Sequence, residues 1–128
     1  MDPIVVIGGD AAGMSAASKF KREQPERDVL VFERGEYVSY AACGMPYYVK
    51  GEVDSLDDLV TVTPTAFVEE RDVDLRLHHE VVDVVPEEHE VVVEGPDGQF
   101  RQAYDQLLVA TGAHAVTPPF GGMDLDGV

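Results

Sequence analysis

The chain has 128 residues, of which 45% are hydrophobic, and this is enough for one folded domain with a modest core. Its 25 acidic and 9 basic residues give a formal net charge of −16, which excludes nucleic acid and anionic membranes as partners. The single cysteine, Cys43, excludes an internal disulfide, and because no signal-peptide pattern or membrane-length apolar run is visible, we expect a soluble cytoplasmic protein.

The first predicted element is a strand at Ile4–Ile7, followed by a tight turn and a helix. Four consecutive apolar residues are typical of a parallel strand that is covered on both faces. The glycines within Gly8–Gly13 let the turn bend sharply and approach a ligand. The helix, predicted from Gly13 to Gln24, would present free N–H groups and a positive dipole end to an anion.

An acidic residue completes this pattern. Glu33 follows the next apolar run, Val29–Phe32, and lies twenty residues after Gly13, a spacing that suits a carboxylate binding ribose hydroxyls. The pattern therefore predicts a dinucleotide site, although Asp10 stands where the usual fingerprint has glycine. The alternative is an ordinary turn between a strand and a helix that binds nothing.

The next part of the chain is predicted to be less regular. The run Arg34–Tyr48 has no clean period and should be a loop that leads into a short helix. Thr63 as the cap and Pro64 at the first helical position predict a helix that reaches about Arg71. Val73–Leu77 is typical of a strand.

The last predicted elements define the fold class. Three short β-prone runs, separated by turns, predict an antiparallel meander at Val81–Val85, Glu90–Glu94 and Gln99–Tyr104. Gln106–Ala110 should return to the parallel sheet and end at its carboxyl edge, where ligands of such sheets bind. From Ala113 onward no further element is predicted. The prediction is an α/β fold: a Rossmann-like half-domain with a parallel sheet and a small three-stranded antiparallel meander.

Two further features carry possible chemistry. A lone cysteine is more typical of a small buried hydrophobe than of a nucleophile, but Cys43 follows the second strand, where the loop crosses the ligand edge. A helix beginning at Cys43 would stabilise its thiolate. His78 and His79 have no third ligand at a suitable spacing, so we predict no metal site and interpret the pair as a strand end in solvent.

Taken together and in order, these motifs resemble those of the flavin-dependent pyridine nucleotide–disulfide oxidoreductases. The lone cysteine is similar to that of their single-cysteine branch, which includes coenzyme A disulfide reductase, NADH oxidase and NADH peroxidase. The residues that carry the resemblance are Gly8–Gly13, Glu33-Arg34, Ser39 with Cys43–Tyr48, and Leu108–Gly112.

The resemblance implies an organisation and a set of cofactor contacts. Residues 1–115 would be the N-terminal part of an FAD-binding domain, and residues 116–128 would begin a linker toward an NAD(P)H-binding domain absent from this chain. The full-length protein would be a homodimer. The implied FAD contacts are Gly8, Gly9, Asp10, Ala11, Ala12, Gly13, Glu33, Arg34, Val81, Ala110, Thr111 and Gly112.

The resemblance also implies a reaction. Electrons would pass from NAD(P)H through FAD to Cys43, whose thiolate would then reduce a small-molecule disulfide, most simply coenzyme A disulfide or a persulfide. The implied coenzyme A contacts are Ser15, Lys19, Arg22, Ser39 and Arg71, whereas Ala42 replaces an asparagine and loses its side-chain hydrogen bond. The alternatives are an NADH oxidase or peroxidase that reduces oxygen or peroxide, a nucleotide-binding module without catalysis, and, for the basic residues, a solvated helix face.

The acid surplus generates a first prediction. With only three lysines among 128 residues, the composition is typical of a protein adapted to high salt. We predict that the melting temperature rises when KCl is increased from about 0.1 to 1 M, because counter-ions screen the repulsion between carboxylates. Calorimetric melting across this series measures the effect, and a melting temperature that stays constant or falls would contradict it.

Overall fold

The computed structural model describes residues 1–128 and places four strands in one parallel sheet. These strands are β1 (Ile4–Ile7), β2 (Val29–Phe32), β3 (Asp74–Arg76) and β7 (Gln106–Val109). Their order across the sheet is β3-β2-β1-β7, so β1 lies between β2 and β7 and pairs with both. The predicted parallel sheet is confirmed, with β3 shorter than expected.

The second sheet contains the three antiparallel strands β4 (Glu80–Val85), β5 (Glu90–Gly95) and β6 (Gly98–Ala103), with β5 in the centre. This confirms the predicted meander and, with the first sheet, the α/β fold class. The pairing of β4 with β5 shifts between Val81 and Asp83. This irregularity lies near the start of β4, close to the carboxyl edge of the parallel sheet, and bulges of this kind redirect side chains beside functional sites.

Three α-helices connect or flank these strands: α1 (Ala11–Glu23), α2 (Met45–Lys50) and α3 (Pro64–Glu69). As predicted, Thr63 caps α3, because its Oγ1 accepts a hydrogen bond from the N–H of Ala66 at 3.2 Å. The last helix ends earlier than predicted, and Asp72, just beyond it, adopts a left-handed φ of 52° that a helix cannot continue through. None of the helices could cross a lipid bilayer.

The parallel sheet is covered on both faces, and this explains the unbroken apolar run of β1. Alternate residues of a strand point to opposite faces, so each face receives two side chains of β1. The cluster under the helices consists of Ile4, Val6, Met14, Ala17, Val29, Val31, Val38, Phe67 and Val73. The cluster under the meander consists of Val5, Ile7, Leu30, Phe32, Val91, Val93 and Tyr104.

A buried lysine fixes the end of α1. The Nζ of Lys21 donates hydrogen bonds to the carbonyl oxygens of Pro25 and Arg27, at 2.9 and 3.0 Å, and lies 2.6 Å from the carboxylate of Asp72. Because these partners lie on the turn after α1 and on the segment after α3, Lys21 holds the two helices together. This contact determines where Arg71, the residue before Asp72, approaches α1.

Candidate functional site

The turn after β1 is a close junction of three strands. The N–H of Gly8 donates to the carbonyl of Phe32 at the end of β2, and the N–H of Ala110, after β7, donates to the carbonyl of Ile7. Gly8 has a φ of 109°, and a Cβ at this position would lie only 2.1 Å from the carbonyl oxygen of Ala110. Glycine is therefore required at position 8 both for its conformation and for its contact with β7.

The start of α1 presents unpaired backbone donors. A Cβ on Gly13 would lie 1.9 Å from the carbonyl oxygen of Gly8, so glycine allows the helix to begin directly against the turn. The N–H groups of Ala11, Ala12 and Gly13 have no hydrogen-bond partner within the chain. Three free donors at the positive end of a helix form an arrangement that favours a phosphate.

The carboxylate of Glu33 is held against this turn by two backbone donors. Its Oε2 accepts a hydrogen bond from the N–H of Gly9 at 2.7 Å, and its Oε1 accepts one from the N–H of Gly35 at 2.9 Å. Each carboxylate oxygen can accept a further hydrogen bond. Glu33 is half-buried, and its carboxylate forms a fixed acceptor group beside the free N–H donors at the start of α1.

A cavity of about 410 Å³ opens at the carboxyl edge of the parallel sheet, between this sheet and the start of β4. Six of the residues predicted to contact the cofactor line it: Gly8, Glu33, Arg34, Val81, Thr111 and Gly112. The other predicted contacts, Gly9, Asp10, Ala11, Ala12, Gly13 and Ala110, belong to the adjoining turn and strand ends. The structure therefore brings the predicted set together along one edge of the sheet.

Six of the 12 lining residues were not among the predicted contacts, and two of them are histidines. His79 and His114 line the cavity together with Ile7, Phe32, Glu80 and Ala113. The ion pair between Arg34 and Glu80, 3.9 Å apart, crosses its rim. Sequence reasoning missed His79 because it treated His78 and His79 as one solvent-exposed pair. The two have different environments: His78 is exposed, whereas His79 is half-buried between aromatic rings.

Asp10, the departure from the glycine fingerprint, has an unusual environment. It occupies the N-cap position of α1, but its side chain accepts no hydrogen bond from the helix. Its Oδ1 is shut off from solvent and has no hydrogen-bond partner at all. An oxygen of this kind costs free energy, because it has lost water without gaining a replacement.

The loop that carries the only cysteine is tied to the glycine turn. The N–H of Ser39 donates to the carbonyl of Gly9 at 2.9 Å, and the N–H of Ala41 donates to the carbonyl of Leu59 at 2.7 Å. Cys43 lies four residues after Ser39 in the chain, so the Cα atoms of these two residues can be at most about 14 Å apart. The thiol side of this loop is open, since Cys43 is exposed.

The predicted loop leads into a short helix, but the α-helix does not begin at Cys43. Cys43 lies in a short 3-10 turn, Ala42–Gly44, and α2 begins only at Met45, with Pro46 in its first turn. A wholly apolar cavity of about 280 Å³ adjoins this segment. It is lined by Tyr37, Tyr40, Met45, Leu56 and Leu59, and does not include Tyr47 or Tyr48.

A basic face lies along α1. Ser15, Lys19 and Arg22 are exposed and follow one another at spacings of four and three residues, so they share one side of the helix. Arg71 joins this side from the segment after α3, because its Nη1 donates to the Oγ of Ser18 at 2.9 Å. We call Ser15, Lys19, Arg22 and Arg71 the basic face.

Ser39, the remaining predicted substrate contact, lies apart from the basic face. Its Oγ lies 2.7 Å from the Oγ1 of Thr61, beside the glycine turn.

The basic face is notable in a chain of such strong negative charge, because three of the nine cationic side chains gather on it. The only ion pair that a residue of the basic face makes is the exposed contact of Lys19 with Glu23, at 3.6 Å.

Known proteins are similar to this chain over nearly its whole length. Residues 2–128 match the protein family described as pyridine nucleotide-disulphide oxidoreductase. The chain is 45% identical over 125 residues to the NAD(P)H sulfur oxidoreductase (CoA-dependent) of Pyrococcus abyssi, and 34% identical to the NADH oxidase of Methanocaldococcus jannaschii. These matches cover 98% and 97% of this chain but only 27% and 28% of the relatives.

The fold is also that of a solved structure. The NAD-dependent persulfide reductase from A. fulgidus superposes on this chain with a TM-score of 0.91 and 34% sequence identity. The match covers 98% of this chain and 24% of that protein. The chain thus spans about a quarter of the length of the proteins it is similar to.

Asp10 generates a prediction about stability. We expect Asp10→Ala to raise the free energy of unfolding by about 1 kcal/mol, because it removes a buried oxygen that has no partner and no capping bond is lost. Thr63→Ala is the matched control, since it removes a real cap and should lower the free energy of unfolding by about 1 kcal/mol. Urea denaturation measures both, and equal losses of stability in the two variants would show that Asp10 does cap α1.

Proposed function

Because the chain belongs to the pyridine nucleotide-disulphide oxidoreductase family, we propose that it binds FAD and carries the redox-active cysteine of an NAD(P)H-dependent disulfide reductase. The observation that carries the proposal is the hydrogen bond between the N–H of Ser39 and the carbonyl of Gly9. It joins the loop of the only cysteine to the turn that is built for a phosphate. A nucleotide cofactor and an exposed thiol are thereby placed at one edge of the sheet.

The residues present fit an adenine dinucleotide. The free N–H groups of Ala11, Ala12 and Gly13 suit its diphosphate, and the fixed carboxylate of Glu33 suits the ribose hydroxyls. Val81, Thr111 and Gly112 line the cavity beyond Glu33, where the adenine would lie. FAD, when bound, would supply the two-electron relay between NAD(P)H and sulfur.

Cys43 is the group that we propose reacts with the substrate. Its Sγ, as thiolate, attacks one sulfur of an external disulfide, forms a mixed disulfide, and releases the other sulfur as a thiolate. Two electrons, which come from NAD(P)H, then return Cys43 to the thiolate and release the second thiol. No second cysteine exists in this chain to store the oxidised state as an internal disulfide.

The basic face supports coenzyme A as part of the substrate. Coenzyme A carries several phosphate charges, and the cationic side chains of Lys19, Arg22 and Arg71 would bind them. Arg71 is already oriented by Ser18 and by the ring of Phe67, whose centroid lies 5.0 Å from its guanidinium carbon. The name of the Pyrococcus abyssi relative, which is CoA-dependent and acts on sulfur, agrees with this proposal.

A second candidate is an NADH oxidase, as in the Methanocaldococcus jannaschii relative. The two candidates differ in their electron acceptor. Steady-state assays of the full-length protein with NAD(P)H and either coenzyme A disulfide, a polysulfide, peroxide or oxygen distinguish them. A protein that is colourless and never takes up flavin would instead be a nucleotide-binding module without catalysis.

The role of Cys43 generates the first prediction of this section. We expect Cys43→Ser in the full-length protein to lower kcat with coenzyme A disulfide by more than roughly a thousandfold, because the hydroxyl is a poor nucleophile at neutral pH. The FAD content of the purified protein should be unchanged, since Cys43 lies outside the cavity that we assign to the adenosine part of the cofactor. Disulfide reduction at the wild-type rate by this variant would refute the proposed role.

The basic face generates the second. We expect Arg22→Gln to raise the KM for coenzyme A disulfide about tenfold, while the KM for hydroxyethyl disulfide, which has no phosphate, stays constant. Arg101→Gln is the matched control, because Arg101 lies on β6 and pairs with Glu88 and Glu90. Its hydrogen bond to Glu90 raises the pKa of Arg101. Because arginine side chains are charged at neutral pH, each substitution removes one positive charge. Equal effects of the two substitutions would show that only net charge matters.

A further inference from the structure

His79 lies at the junction of the two sheets. Its ring centroid is 6.0 Å from that of Phe32, at the end of β2, and 6.0 Å from that of Phe100, on β6. Its ring also lines the 410 Å³ cavity that we assign to the adenosine part of the cofactor. His79 therefore forms a wall between the interior of the meander and the cavity.

The orientation of this ring is determined by hydrogen bonds. The Nδ1 of His79 lies 2.7 Å from the carbonyl oxygen of Leu77, and because a carbonyl only accepts, Nδ1 must carry the hydrogen. The N–H of His79 donates to the carbonyl of Glu33 at 3.0 Å. The backbone of His79 is therefore held by the residue whose carboxylate we assign to the ribose, while Leu77 orients the ring.

The meander supports the ring from behind. A Cβ at Gly95, the last residue of β5, would lie 2.8 Å from both the Cδ2 and the Nε2 of His79. Any side chain at position 95 would therefore push the ring away from β5, and the cavity is one of the spaces open to it. The absence of a side chain at Gly95 is what allows His79 its present position.

We propose that His79 is a specificity-determining residue of the cofactor site, which contacts the adenine through the face of its ring. This inference rests on the proposed function, because it takes the cavity as the adenosine site. The fixed ring is prepared for stacking before the ligand arrives, and stacking between a base and an aromatic side chain is a strong and common contact. The meander thus becomes part of the cofactor site through Gly95 and His79.

Two substitutions separate the ring from its hydrogen bond. His79→Phe keeps an aromatic ring and loses the bond to Leu77, whereas His79→Asn keeps a donor for Leu77 and loses the ring. We expect the Kd for FAD of the full-length protein, measured by quenching of flavin fluorescence, to change less than twofold in His79→Phe and to rise about tenfold in His79→Asn. His78→Asn, next to it but outside the cavity, is the matched control and should leave the Kd unchanged.

A purely structural role of His79 predicts the reverse order, with His79→Phe the weaker binder, and this result would overturn the inference. Equal affinities in both variants and wild type would also overturn it. A double-mutant cycle adds a second test: Gly95→Ala should weaken FAD binding when His79 is present and have no effect in His79→Asn. Equal effects of Gly95→Ala in both backgrounds would contradict the inference, because the substitution would then not act through the ring of His79. A wild-type protein that binds no FAD would refute the proposed function itself, which distinguishes the two failures.

Discussion

The hydrogen bond between the N–H of Gly9 and the carboxylate of Glu33 is the contact on which the site depends. It joins the turn after β1 to the end of β2, so it sets the distance between the free N–H groups at the start of α1 and the carboxylate of Glu33. The neighbouring backbone groups extend this contact in two directions. The carbonyl of Gly9 holds the cysteine loop through Ser39, and the carbonyl of Glu33 holds His79. The glycine turn, the cysteine loop and the cavity at the sheet edge are thereby all connected to one hydrogen-bonded pair, Gly9 and Glu33.

The meander has a role beyond covering the sheet. Its central strand supplies Val91 and Val93 to the second apolar cluster, which buries the face of β1 and β2 away from the helices. The bulge near Val81 and the close packing of His79 on Gly95, which has no side chain, then bring the edge of the same meander to the cavity. Core packing and ligand geometry therefore depend on the same three strands.

Charge distribution separates the surface into two parts. Most of the chain is acidic, and its basic side chains are mainly used in internal ion pairs, as Arg101 is with Glu88 and Glu90. The basic face is an exception, because Arg22 has no carboxylate partner and Arg71 bonds to the neutral hydroxyl of Ser18. The proposed binding of phosphate-bearing molecules at α1 is consistent with this distribution, since the remaining anionic surface repels them.

Sequence reasoning predicted the fold class, the strand–turn–helix unit with Glu33 and the meander, because these depend on local periodicity, turn chemistry and spacing along the chain. The family was expected from a resemblance of motifs, which the family match over residues 2–128 confirms. Sequence reasoning placed the end of α3 too late, since helix ends depend on contacts that local patterns do not contain. Three features are visible only in the tertiary structure. His79 and His78 have different environments, the buried Oδ1 of Asp10 has no hydrogen-bond partner, and Arg71 contacts the face of α1. These facts arise from contacts between segments far apart in the chain, such as Gly95 with His79 or Ser18 with Arg71, and no pattern of neighbouring residues encodes them.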